Sequence, residues 1–444
     1  MLTRVCFSLA LLLAVPACAQ APAAQATDPV SGDDDLKMVT PPPVSGEAYP
    51  AAVGAETRSN YLDIGAIVTT AYDDNVPGSA GSQPVADAIY TIWPTVTLDQ
   101  ASWRQRRTFT YSPGFTFYDP TSALNDVDQS ADLDFEYRMS PHSTVVLRDT
   151  LEKSSNVFNL PNALSGEPVS GSGEPSAAEV VAPYAPRLTD TANAEASYQY
   201  SRNSMIGGGG IFTELHYPNP AQNPGLYDSD ARGGSAFYSH RLSSNQYAGA
   251  VYQYLRLAAY PAHAQSTTQT QSFFGFYTVY LKHSLSLSFL GGPQHYDATQ
   301  APLPESRSLT GSGTASLGWQ RSHTNIAASY SHSVSGGGGL LGAYTLNSAN
   351  ASVRWQMAST WILGSTAGYI VNKTVTPLFT SDPGGHSING VLSIEHTISE
   401  RFRMEAGYNR LHQSYGGIAV IAVHPDSNRV YVSVSYRFTR PLGR

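Results

Sequence analysis

The chain has 444 residues, of which only 14% are charged against roughly a quarter in typical soluble proteins, and tyrosine (27) and glycine (38) are abundant. The net charge is -8, lysine is confined to Lys37, Lys153, Lys282 and Lys373, and there is no basic run. Nucleic acid is therefore excluded as a partner.

Residues 1–19 have the three parts of a signal peptide. Arg4 gives the positive start, Phe7 to Val15 the apolar core, and Ala17-Cys18-Ala19 the small-residue cleavage site. Cutting after Ala19 removes both cysteines, Cys6 and Cys18, and with them any disulfide or thiol chemistry. The alternative keeps Cys18 as a lipidated first residue, although Pro16 stands where such a signal carries a small side chain. Past this point no apolar run reaches the about eighteen residues of a membrane-spanning helix.

Residues 20–58 are rich in Ala and Pro, including three consecutive prolines at 41–43, and poor in large apolar side chains. They read as a disordered periplasmic linker. From Asn60 a strand-like run of about 10 to 15 residues, a break and another run recur to the end. Runs begin near Asn60, Val85, Thr108, Ser130, Ser143, Leu188, Asn203, Tyr227, Gln246, Thr268, His283, Ser308, Thr324, Tyr344, Thr360, Ser387, Arg401 and Asn428. Many alternate cleanly: Leu133, Phe135, Tyr137 and Met139 oppose Asp132, Asp134, Glu136 and Arg138. The last run sets Val430, Val432, Val434, Tyr436 and Phe438 against Tyr431, Ser433, Ser435 and Arg437.

Short breaks such as 139–143, 201–204 and 321–324 alternate with long ones such as 73–84, 119–128 and 413–427, the longest being 155–186. That rhythm predicts an all-β, transmembrane, antiparallel up-and-down barrel over residues 59–438, with about 18 strands (16 is the alternative). A short tail, 439–444, follows, and both ends lie on the periplasmic side. A secreted β-sandwich or propeller competes, but soluble strands average about five or six residues, whereas tilted membrane strands need about 9 to 11.

Chemistry-bearing motifs are few. The tetraglycine runs 207–210 and 336–339 are not followed by Lys-Ser or Lys-Thr, so neither is a phosphate loop. The first reads as a bend or close-packing point in a strand, the second as a flexible loop. Twelve histidines show no ligand spacing, so no metal site and no cofactor is expected. Asp73, Asp74 and Asn75 offer oxygen ligands for calcium or begin a solvated loop. His142, His283 and His323 sit in short turns; His386 with Ser387 and His412 with Ser414 lie near the opposite rim. None assembles a catalytic pair, and no enzyme is expected.

If the apolar rows face lipid, Asp132, Asp134, Glu136, Arg138, Glu195, Arg354, Glu395, Arg403, Glu405 and Arg437 face the lumen. Their signs are mixed, which predicts a hydrated interior without strong selectivity, or pairs that satisfy a filled lumen.

Two stretches resemble known patterns. The stretch 60–118, with Tyr72-Asp73-Asp74-Asn75 closing its first strand, resembles the β-barrel porin-2 family of Gram-negative outer-membrane proteins. That resemblance implies an outer-membrane barrel but no cargo. Val432, Val434, Tyr436 and Phe438 resemble the terminal signal read by the barrel assembly machinery, with a six-residue overhang where the usual signal ends in Phe. The expected partners are outer-membrane lipid, that machinery and, in one reading, periplasmic export proteins; oligomeric state is left open. The expected function is passive diffusion of small polar solutes, with 155–186 as the constriction. The alternatives are a conduit or accessory protein for exopolysaccharide export, and a closed structural or adhesive barrel.

Overall fold

A computed structural model describes residues 38, 41, 60–76, 85–156, 186–220, 225–261, 266–282, 284–300, 304–335, 342–375, 384–415 and 426–442. The strands in chain order are β1 (Tyr61–Val76), β2 (Val85–Ala101), β3 (Gln105–Asp119), β4 (Asp126–Ser140), β5 (Ser143–Ser154) and β6 (Arg187–Ser201). Next come β7 (Ser204–His216), β8 (Ser229–Ser243), β9 (Gln246–Ala259), β10 (Ser266–Lys282), β11 (Leu285–Gln300) and β12 (Ser306–Arg321). The last six are β13 (Thr324–Ser335), β14 (Tyr344–Ala358), β15 (Trp361–Thr374), β16 (Gly385–Thr397), β17 (Phe402–Tyr415) and β18 (Asp426–Pro441). Among the described residues the only other element is a 3-10 turn at Ser122–Leu124.

Every strand pairs antiparallel with its successor, and β1 pairs with β18, so the 18-stranded sheet closes on itself. The fold is an all-β, up-and-down barrel without a free edge. No described helix is long and apolar enough to cross a membrane.

The closing seam runs from Tyr61 opposite Pro441 to Asp73 opposite Arg429. Side chains lace it at both ends. Thr439 donates to Asp63 (3.2 Å), and Arg437 is ion-paired with the same carboxylate. Ser427 donates to Asp73 (3.1 Å), and Asn428 donates to Asp74 from both its backbone N–H (2.9 Å) and its side-chain amide (2.8 Å). These bonds revise two expected boundaries. The first strand does not stop at the long break expected from residue 73 but continues to Val76, and β18 continues past Phe438 to Pro441, so half of the expected tail is ladder. Polar residues remain in the sheet there because a partner strand satisfies them.

Period-two alternation gives the wall its two faces. On β1, Ile64, Val68 and Tyr72 are exposed, whereas Asp63, Thr69, Ala71 and Asp73 are buried. On β18, Val430, Val432, Val434, Tyr436 and Phe438 are exposed, whereas Arg429, Tyr431 and Ser433 are buried. The buried rows face the barrel axis, where closure crowds side chains from neighbouring strands together.

Large inward side chains lie flat on the wall where the next strand offers glycine. A Cβ on Gly114 of β3 would stand 2.4 Å from two ring carbons of Trp93 on β2. A Cβ on Gly207 of β7 would stand 2.5 Å from the Phe237 ring on β8 and 2.6 Å from the carbonyl oxygen of Ala196. The first tetraglycine run is thus a close-packing point within β7, as expected; the second, 336–339, lies outside the described residues, as does most of 155–186.

Within the stretch expected to be a linker, Met38 and Pro41 are both buried. Met38 packs among the inward residues Met205, Phe237, Tyr247, Val251, Phe274 and Phe276. Its backbone N–H donates to the Gln199 side-chain oxygen at 3.2 Å.

Candidate functional site

The outer surface fixes where a bilayer fits. The outward row of β1 runs apolar or small from Leu62 through Ile64, Ala66, Val68 and Thr70 to Tyr72, then meets Asp74. Those ten residue steps span about 33 Å along the strand, or about 25 Å along the axis at a tilt of about 40°. That height matches the hydrocarbon layer. Aromatics border the band at both ends. Trp355, Trp361, Phe402, Tyr436 and Phe438 stand near the short turns, and Tyr72, Tyr90, Phe117, Tyr369 and Tyr408 toward the long loops. The Trp and Tyr rings among them, with one apolar and one polar edge, suit an interface.

Beyond the second girdle the outward face turns polar. His216 bonds Asp228 (2.7 Å), His332 bonds Asn347 (2.8 Å), and His412 bonds Asp426 (2.9 Å). Arg410 pairs with Asp426 (3.3 Å) and Arg307 with Asp297 (2.9 Å). Several histidines that look scattered in sequence therefore share one level of the barrel, on its outside.

The period of two puts the ten residues expected to line a pore on the row opposite the apolar row of each strand. The structure joins several of them. Glu395 on β16 stands between Arg354 of β14 (3.6 Å) and Arg403 of β17 (3.7 Å). Glu136 and Arg138 pair along β4 (2.9 Å), and Asp134 faces Arg148 on β5 (3.6 Å). Arg437 pairs with Asp63 across the seam. Glu405 accepts from the Tyr431 hydroxyl (2.8 Å), and Asp132 from Ser130 (3.3 Å). Glu195 lies on β6, opposite Gly209 of β7. Missed in the sequence are Asp63, Arg148 and the pair of Asp99 on β2 with Arg106 on β3 (3.5 Å). Their signal is the same alternation, but their partners lie on other strands.

Near the short turns the lumen wall is thus two-sided. From β14 through β18 and β1 to β4 it is lined by ion pairs; from β7 to β11 it holds the apolar patch that Met38 covers. The patch was not legible because no single strand shows more than one or two of its members.

Strand geometry overturns both readings of Asp73, Asp74 and Asn75. Asp73 points inward and is fully buried, whereas Asp74 points outward to Asn428. Adjacent residues on a strand face opposite ways, so they neither share a calcium ion nor begin a solvated loop. Among the described residues no group of three His, Cys, Asp or Glu side chains is placed to hold a metal. Val432, Val434, Tyr436 and Phe438, the expected assembly signal, form one exposed outward row on β18.

No known family model matches the chain, and no curated protein matches it. Among solved structures it is similar to the ferric-catecholate import receptor Fiu of E. coli K12, at 8% identity and a TM-score of 0.44, over 88% of this chain and 82% of that one. It is similar also to OpdQ of Pseudomonas aeruginosa, at 10% identity and a TM-score of 0.41, over 86% and 98% of the two chains. OccAB3 of Acinetobacter baumannii gives 11% identity and a TM-score of 0.40, over 86% and 99%. Likeness this distant carries no functional argument.

Proposed function

We propose that the chain is an outer-membrane barrel that lets small polar solutes diffuse passively across that membrane. One observation carries this reading: a closed 18-stranded wall whose outer rows are apolar and exposed and whose inner rows, outside the patch that Met38 covers, are largely polar and charged. Burying the outer rows in hydrocarbon is favourable, and closure leaves no backbone group unpaired in lipid. Barrels of about 16 to 18 strands are wide enough to hold an aqueous channel. A signal peptide at 1–19 would deliver the chain to the periplasm, and the barrel assembly machinery would read Val432, Val434, Tyr436 and Phe438.

The test is single-channel recording of the purified full-length protein in planar bilayers. Stepwise, ohmic conductance in potassium chloride is the expected result. Silent insertion, with the protein folded by its gel mobility, overturns the channel reading and leaves a closed barrel.

A further inference from the structure

The ion pairs of the lumen wall are mixed in sign, which on composition alone predicts no preference. On β4 and β5 Asp134 is the more exposed partner, 55% against 36% for Arg148, but in three groups between β14 and β3 the arginine is. At the short-turn end the Arg106 side chain is 63% exposed while its partner Asp99 is 7% exposed. Arg437 is 51% exposed and its partner Asp63 9%. Arg403 is 52% exposed and Arg354 35%, while the Glu395 between them is 19% exposed. In each of these three groups the guanidinium stands into the lumen and the carboxylate is recessed against the wall. Asp63 is further engaged by Thr439 (3.2 Å). These arginines come from β14, β17, β18 and β3, so they form one arc on the inner face, each within a few residues of a short turn.

A guanidinium carries five N–H donors in a planar fork, and a single recessed carboxylate leaves part of that fork turned to the lumen. The chemistry that fits is an oxyanion with two oxygens in one plane, which accepts two parallel bonds. We infer that this arc is an oxyanion-selective site, and that the solutes favoured by the channel are small molecules bearing carboxylate or phosphate. This deepens the channel reading and rests on it. A solute anion touches the arginine at about 3 Å, whereas the acid stands a further 3.5 to 3.7 Å back. In water-like dielectric that offset favours an anion by about threefold.

The test uses the full-length protein in planar bilayers under a tenfold potassium chloride gradient. The reversal potential is expected to give a chloride-to-potassium permeability ratio of about 3. In the double variant Arg403→Gln/Arg437→Gln, Glu395 and Asp63 lose these partners, and the ratio should fall by about threefold or invert. The Arg403→Lys/Arg437→Lys variant keeps the charge and the ratio. It should lose block of the chloride current by succinate or inorganic phosphate, since lysine has no fork. Comparing the two blockers tells carboxylate from phosphate. Calorimetric titration of each into the folded barrel in detergent reads the arc without any current. A barrel that carries no current yet binds either anion, with binding lost in the Gln variant, refutes the channel and upholds the arc. Conduction with a ratio near 1, or a ratio unchanged in the Gln variant, overturns the arc and leaves the channel standing. Neither current nor binding overturns both.

Discussion

Replacing Gly114 with alanine should unseat Trp93. The added Cβ would stand 2.4 to 2.7 Å from three ring carbons of Trp93, whose side chain is 1% exposed. Carbon atoms at rest lie about 3.5–4.0 Å apart, so the ring must retreat by about 1 Å into packed surroundings. Overpacking of this kind costs about 1–3 kcal/mol, partly offset by about 0.5–1 kcal/mol because alanine loses less backbone freedom than glycine. The net expectation is about 1–2 kcal/mol of destabilisation. Gly275 on β10 is the control, since a Cβ there meets nothing within 4 Å; Gly275→Ala should be neutral or stabilise by up to about 1 kcal/mol. The assay is urea unfolding of the barrel in lipid vesicles, followed by the heat-dependent shift in gel mobility. Trp93→Leu in the Gly114→Ala background should cost less than the two single changes predict, because the leucine leaves room for the methyl. If Gly114→Ala is as stable as the parent while Gly275→Ala behaves as stated, the account of flat-lying rings on glycine is wrong.

Met38→Cys should resist maleimide in the folded barrel and react on unfolding, and Met38→Asp should cost about 1.5–3 kcal/mol by the same assay; immediate labelling of the Met38→Cys variant would contradict the packing. Asp63→Ala removes the acceptor shared by Arg437 and Thr439 and should cost about 1.5–3 kcal/mol, seen as a lower urea midpoint. Phe438→Ala should lower the yield of folded barrel in the outer membrane of growing cells with little change in refolding from urea, since Phe438 lies on the exposed outer row; an equal loss in both assays would make the residue structural instead.

Strand number and succession are readable in the sequence because the side-chain period of a strand is two and nearly every strand has one apolar row. Runs expected from Ser143, Gln246, Thr324 and Tyr344 begin where strands begin. Those expected from Thr108 and Ser130 start inside theirs, because Gln105–Arg107 and Asp126–Gln129 lack the apolar alternation that marks a strand. The inner face of each residue is legible by the same rule. Cross-strand partners are not: Asp63 meets Arg437 and Tyr431 meets Glu405 only through register. Met38 lies in a proline-rich stretch with no period at all, so only the fold shows it among Phe237, Phe274 and Phe276.

The side chains that lace β1 to β18 solve a problem the apolar pattern leaves open. A slip of one residue between the closing strands would put every valine of β18 on the wrong face and is forbidden by solvation. A slip of two residues keeps the faces correct and costs the apolar rows almost nothing. A slip that sets Asp63 opposite Pro441 would, however, part Asp63 from Arg437, Asp73 from Ser427 and Asp74 from Asn428 all at once, and the opposite slip would set Asp74 against Asp426. Each separation strands a carboxylate that the correct alignment satisfies, at about 1–3 kcal/mol apiece. The seam thus proofreads its own closure: hydrophobicity decides which way the strands face, and three aspartates decide how far along they stop.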